Sequence, residues 1–326
     1  MNAPRFSLFG LRAGAWFLAV VTIVRAQVTL APPAVTSPPA AGTVPELFAG
    51  ELDDVGPQFL LQARPAARRF ELWTDWEYTG TNNVTLEPAQ PTASTLLAAQ
   101  AGLTYHAPPV ARGGGELSWE VGVRAQAYRY GFLANSNHPV NFIEIDRNNF
   151  DLVGAHAGAA WQRGGWLVAG GLRGAALRSR STGRRFYEEA VIDAPGLRQW
   201  TLRPDTTLAA GLDAAWRRTR TDSFGLLPDH WNDRAELAFV ASLERRFGAN
   251  WRLQPSLRVQ GTHYTQADRA RNDRHLFARL TLARGIGPAG ELRLSLGHEQ
   301  RESSDQTVND YKKWDLALGG SLRWRF

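Results

Sequence analysis

The sequence predicts an all-β chain, with about twelve antiparallel strands closed into a transmembrane barrel. From Trp314 to Phe326 the even positions are apolar or glycine (Trp314, Leu316, Leu318, Gly320, Leu322, Trp324, Phe326), while the odd ones run Asp315, Ala317, Gly319, Ser321, Arg323, Arg325. Successive side chains of a strand point to opposite faces, so this segment has one greasy face and one polar or small face. The same alternation recurs along the chain, in segments that reach the roughly ten residues a tilted strand needs to cross a bilayer. Only a closed barrel leaves no unpaired backbone edge in lipid.

The N-terminus carries the marks of export. Arg5 and Arg12 supply a positive start, Ala13 to Val24 is an apolar run, and Val24-Arg25-Ala26 offers small residues for cleavage, so residues 1–26 read as a signal peptide. Its removal takes away Arg5, Arg12 and Arg25 and no acid, lowering the formal net charge from +6 to +3. The basic balance is then no argument for a nucleic-acid partner. The chain has no cysteine, which excludes disulfides, zinc-thiolate sites and a lipoprotein anchor and suits an exported protein. No other stretch approaches the ~18 apolar residues of a membrane helix.

Residues 27–67 form a Pro/Ala-rich linker and short segment. Pro32, Pro33, Pro38, Pro39 and Pro45 predict an extended periplasmic tail. Residues 46–64 mix apolar and acidic positions without a clear period, compatible with a short helix, a lumen insert or a loose segment. From 68 to 326 the chain is one series of alternating segments. Leu117, Trp119, Val121 and Val123 interleave with Ser118, Glu120 and Arg124; Trp251, Leu253, Leu257 and Val259 with Arg252, Gln254, Ser256 and Arg258; Leu292, Leu294 and Leu296 with Arg293 and Ser295. The predicted strands are 69–79, 94–106, 116–130, 149–162, 166–178, 197–203, 206–218, 233–247, 251–265, 273–284, 290–301 and 311–326. The sixth is the shortest, Val240 and Leu177 are apolar on a polar face, and ten or fourteen strands fit the same pattern.

Loop lengths orient the barrel. Short connections at 163–165, 248–250 and 285–290 alternate with long polar ones at 131–148, 179–196, 218–232 and 302–310. Short turns belong on the periplasmic side and long loops outside. Trp161, Trp166, Phe247, Trp251, Trp324 and Phe326 sit beside short turns, and Tyr78, Tyr130, Trp216, Tyr264, Tyr311 and Trp314 at the opposite strand ends, as two interfacial belts require.

Leu322, Trp324 and Phe326, in an alternating final strand that ends on an aromatic residue, resemble the C-terminal strand of bacterial outer-membrane β-barrel proteins. That resemblance implies a signal read by the barrel-assembly machinery. Trp76-Glu77-Tyr78-Thr79-Gly80-Thr81-Asn82-Asn83-Val84 and Asp310-Tyr311-Lys312-Lys313-Trp314-Asp315 are similar to the opening and closing segments of uncharacterised putative β-barrel porin families. The resemblance implies a place in the bacterial outer membrane, in contact with its lipid.

The alternation assigns to the lumen Glu71, Asp75, Glu77, Glu116, Glu120 and Arg124, and from later strands Arg252, Arg258, Arg279 and Arg293, with Arg323 and Arg325 beyond. Charges there must meet water or each other. Facing water, acidic and basic walls would set up a transverse field that selects polar solutes. Paired, they would brace a narrow barrel. The expected function is therefore a porin-like passive channel or an envelope structural protein. The alternative is a secretion or surface-assembly barrel whose residues 27–64 meet a periplasmic partner. A hydrolase reading would use Asp273 and His275 with Glu144 and Asp146, or Asp229 and His230, as acid and base groups in outer loops. Ser303 and Ser304 lack the surroundings of a nucleophile. The sequence predicts no enzyme activity, no cofactor and no metal site, since no His, Asp and Glu stand at metal-ligand spacing.

Overall fold

A computed structural model describes residues 68–83, 93–131, 149–221, 230–248, 250–265, 271–305, 308 and 310–326. The signal peptide and Pro-rich tail expected at 1–67 lie outside the described residues. The strands are β1 (Phe70–Thr81), β2 (Ser94–His106), β3 (Val110–Arg112), β4 (Gly115–Tyr130), β5 (Phe150–Arg163), β6 (Trp166–Ser179) and β7 (Arg185–Arg203), followed by β8 (Thr206–Thr221), β9 (Arg234–Phe247), β10 (Trp251–Tyr264), β11 (Arg271–Ile286), β12 (Gly290–Ser303) and β13 (Tyr311–Arg325).

Each strand pairs antiparallel with the next, and β1 pairs with both β2 and β13, so the sheet closes on itself. Twelve strands make the wall. The extra strand, β3, continues the line of β2 after Pro108 and Pro109, which lack the N–H that a ladder needs, and pairs with the start of β4. At the seam Phe70 N donates to Phe326 O (3.0 Å) and Phe326 N to Phe70 O (2.9 Å). At the other rim Asn83 Nδ2 donates to Lys312 O and Trp314 N to Asn82 Oδ1, tying β1 to β13 there as well.

Short turns gather on one rim. Gly113-Gly114 and Gly164-Gly165 form two-residue turns with positive φ throughout (61° and 73°; 54° and 82°), the geometry whose twist matches that of paired strands. The sixth wall strand departs from the sequence reading. Residues 185–203 form one 19-residue strand, so 179–196 is no long loop; the connection spans only 180–184. The pattern is hidden because both faces of β7 mix apolar and acidic groups: Tyr187, Glu189, Val191 and Asp193 on one, Glu188, Ala190, Ile192 and Ala194 on the other. Pro195 adds a break in the ladder to β6, where pairing lapses between Gly196 and Asp193.

The outer face is apolar row by row. Leu72, Leu103 and Val123 lie side by side on β1, β2 and β4, as do Leu282, Leu294 and Leu318 on β11 to β13. Such side chains are open to the surroundings, Leu172 to 59% and Leu316 to 58%. At the short-turn rim Phe326, Phe70, Tyr105 and Trp119 stack edge to edge across β13, β1, β2 and β4, with centroids 6.0, 5.3 and 5.7 Å apart. At the long-loop rim, Tyr78, Trp216 and Trp314 share the outward register. Tyr130, Tyr264 and Tyr311, expected in that belt, turn inward instead: Tyr130 and Tyr311 are buried, and Arg271 donates to the Tyr264 hydroxyl.

Candidate functional site

The inner face is the candidate site, and alternation decides what it holds. β1 turns Glu71, Trp73, Asp75 and Glu77 toward the axis; opposite register partners on β13 are Arg325, Arg323, Ser321 and Gly319. Because the sheet closes there, the acids of β1 stand beside the basic strands at the end of the chain rather than across the lumen from them. Arg293 Nη2 on β12 reaches Asp75 Oδ2 at 2.6 Å, passing over Gly319 of the intervening β13. A Cβ at Gly319 would stand 3.4 Å from the Arg293 guanidinium and 2.8 Å from the Trp76 carbonyl oxygen, so the small residue makes the crossing possible. Arg279 Nη2 on β11 reaches Glu77 Oε1 at 2.8 Å past both β12 and β13, where the inward residues are Gly297 and Ala317.

The device repeats. Arg252 Nη2 on β10 holds Glu291 Oε2 on β12 at 2.8 Å, beside Ala283 of β11, and Arg258 Nη1 holds Asp213 Oδ2 on β8 at 2.7 Å, beside Ala238 of β9. Long guanidinium arms thus lace alternate strands over rows of alanine and glycine. Glu71 is gripped by Arg325 Nε at 2.7 Å and lies 3.7 Å from Arg323. Glu120 lies between His106 Nδ1 (3.2 Å) and His156 Nε2 (3.7 Å). Glu116 shares its inward register but is exposed at the short-turn rim. The expected transverse field between an acidic and a basic wall is therefore absent for these pairs: they neutralise one another within one arc of the cylinder.

Sequence reasoning singled out fewer of these groups than the structure joins. Glu236 accepts from Arg217 Nε (2.9 Å) and Arg234 Nε (2.7 Å), and Arg217 also reaches Glu189 at 3.2 Å. Lys313 Nζ lies 3.0 Å from Glu299, which also accepts from the Tyr311 hydroxyl. Arg173 pairs with Asp193 at 2.9 Å. Arg217, Arg234, Glu236, Glu299 and Lys313 occupy polar positions of alternating segments, the signal that would have found them, whereas Glu189 and Asp193 lie on β7, where that alternation fades.

The opposite arc is different. β5 and β6 stand six strands from β11 and β12 in the closed order, and their inward residues include Gly154, Gly158, Ala160, Ala169, Gly171 and Ala175. Toward the long-loop rim this arc ends in a buried apolar cluster, in which Tyr128 stacks on Phe150 at 4.4 Å and Leu152 stands opposite Leu177. Leu177 breaks the polar pattern because it belongs to that cluster. Val240, on β9, stands between Arg258 and Gly211 on the inner face.

The acid and base groups considered for hydrolysis are engaged elsewhere. Asp273 accepts from Arg271 Nε (2.9 Å) and Ser303 Oγ (2.7 Å), while His275 stacks on Phe277. His230 Nδ1 lies 2.8 Å from the Thr219 carbonyl oxygen. Glu144, Asp146 and Asp229 lie outside the described residues. Among the described residues no group of three His, Asp or Glu side chains is placed to hold a metal ion.

A closed antiparallel cylinder, apolar outside along its ladder rows and charged inside, with tight turns at one rim, is a transmembrane β-barrel of the bacterial outer-membrane type. No protein-family model matches the chain, and no curated protein matches it in sequence. Among solved structures it is similar to an outer-membrane channel from Pseudomonas putida F1, COG4313 (TM-score 0.47, 9% identity, covering 81% of this chain and 100% of that one). It is also similar to the beta domain of the Bordetella autotransporter BrkA (0.43, 15%, 78% and 99%) and to the KdgM porin in complex with disordered oligogalacturonate (0.39, 8%, 77% and 98%).

Proposed function

We propose that the protein is a porin-like passive channel for small polar solutes. The observation that supports this best is the uneven inner face. The arginines of β10 to β12 are drawn onto the wall by carboxylates at 2.6–2.8 Å, and the middle of the arc facing β11 and β12 carries Gly154, Gly158, Ala160, Ala169, Gly171 and Ala175 beside His156 and Arg173, so side-chain bulk is reduced on the side where a solute would pass. A charged and polar interior is stable only where water or partners meet the charges, and a wet lumen supplies both. A barrel built only for strength has no need to keep one arc small. Swelling of proteoliposomes containing the refolded barrel tests this: entry of small neutral sugars with exclusion of large ones is expected, and complete impermeability would leave a closed structural barrel.

A further inference from the structure

Several inner-face arginines are neutralised by carboxylates of the wall, and Arg124 is not among them. Arg173, Arg252, Arg258, Arg279 and Arg293 each hold a carboxylate at 2.6–2.9 Å. Arg124, projecting inward from β4, has no carboxylate within ion-pair distance among the described residues, and its buried Nε has no hydrogen-bond partner. Its register neighbours are glycines on both sides, Gly102 on β2 and Gly154 on β5. A Cβ at Gly154 would stand 3.5 Å from Arg124 Nε, so the side chain runs across β5 over a residue with nothing to offer it. Next along the arc is Arg173, whose charge Asp193 already answers.

A guanidinium with unused donors in a confined interior is costly unless something anionic meets it, and its planar fork suits the paired oxygens of a carboxylate or phosphate. We infer that Arg124 is an anion-binding site within the lumen, which selects solutes bearing a carboxylate or phosphate group. The inference deepens the channel reading and rests on it for its role in transport, but binding itself can be measured without conduction. The small residues of β5 and β6 leave room beside Arg124 for the ligand, and the paired arginines elsewhere do not compete for it. A cation with no carboxylate in ion-pair contact, set in a conducting lumen, also favours anions over cations.

The test uses the full-length refolded protein, with citrate as a compact polycarboxylate and glucose as the neutral control. Calorimetric titration should show citrate binding that Arg124→Gln weakens by about tenfold or more, the size expected for loss of one charge-assisted hydrogen-bonding group. Arg124→Lys should retain most of it, and glucose should bind neither protein. In planar bilayers under a potassium chloride gradient, the reversal potential should show anion preference in the wild type and in Arg124→Lys, and shift toward cations in Arg124→Gln. Normal heat-modifiability of each variant confirms that it folds. Citrate binding and reversal potential both unmoved by Arg124→Gln would overturn the site and leave the channel. A silent bilayer with citrate binding that still depends on Arg124 would overturn the channel and leave the site.

Discussion

Two arcs of one cylinder solve the problem of a polar interior in different ways. From β8 round to β1 the inner face is laced by arginine arms that reach over alanine and glycine to carboxylates one to three strands away, as Arg293 does across Gly319 to Asp75. On β5 and β6 much of the face is thinned instead, with Gly154, Gly158, Gly171 and Ala175 beside His156 and Arg173. The lesson is that small residues serve opposite purposes in the two arcs. Under the ion pairs they are the floor that lets partners meet; on the facing arc they are the space itself.

The largest effect should come from removing one partner in the laced arc. Glu236→Gln removes the negative charge on which Arg217 and Arg234, both buried, converge at Oε1, and the cost should be about 3–5 kcal/mol in urea unfolding from lipid vesicles. Ala169→Ser, on the thinned arc, should stay within about 0.5 kcal/mol of the wild type. Similar losses for the two would erase the distinction between arcs.

The contrast between inner and outer faces comes next. Leu257→Arg or Leu318→Arg places a charge on the lipid side and should cost about 2–4 kcal/mol near the midplane, whereas Ser256→Arg or Ser321→Arg, on the inner register, should be tolerated. A gel assay of heat-modifiability reads the difference, and equal sensitivity of both faces would contradict the register. Gly319→Ala should cost about 1–3 kcal/mol, because the added methyl meets the Trp76 carbonyl oxygen and crowds the Arg293 crossing. Gly158→Ala, which has open space beyond one carbonyl contact at 3.5 Å, should be milder.

A smaller effect is expected at the seam. Deleting Phe326 removes two backbone hydrogen bonds and the stack on Phe70, worth about 1–3 kcal/mol together. If Leu322, Trp324 and Phe326 also form the strand recognised during insertion, the truncated protein should be exported yet accumulate poorly in the membrane. Unchanged insertion and unchanged unfolding would remove both roles.

The sequence shows the barrel plainly because lipid enforces a period of two on every spanning strand, and Trp314 to Phe326 display it without interruption. It hides β7 because the inner face there is itself partly apolar, so Tyr187 and Val191 face in while Ile192 faces out and the period fades. Charges on the inner register could be enumerated, but not who meets whom. Closure makes β1 the neighbour of β13, so Asp75 and Arg293, far apart in the chain, become partners. The isolation of Arg124 has no local signature either, since it depends on the glycines that registration brings alongside. The inward turn of Tyr130, Tyr264 and Tyr311 is not legible in the sequence because belts and lumen both draw tyrosine to strand ends.

The central claim, that one arc is open and the facing arc is filled by paired side chains, is tested most directly by thiol labelling. The chain contains no cysteine, so single replacements report without background. With the barrel in vesicles, Ala169→Cys and Ser295→Cys would be reacted with a small, water-soluble, charged methanethiosulfonate. Ala169 belongs to the thinned arc, and Ser295 lies buried on β12 among the ion pairs. Rapid modification at 169 and slow modification at 295 are expected. Equal rates, or protection of both, would contradict the claim.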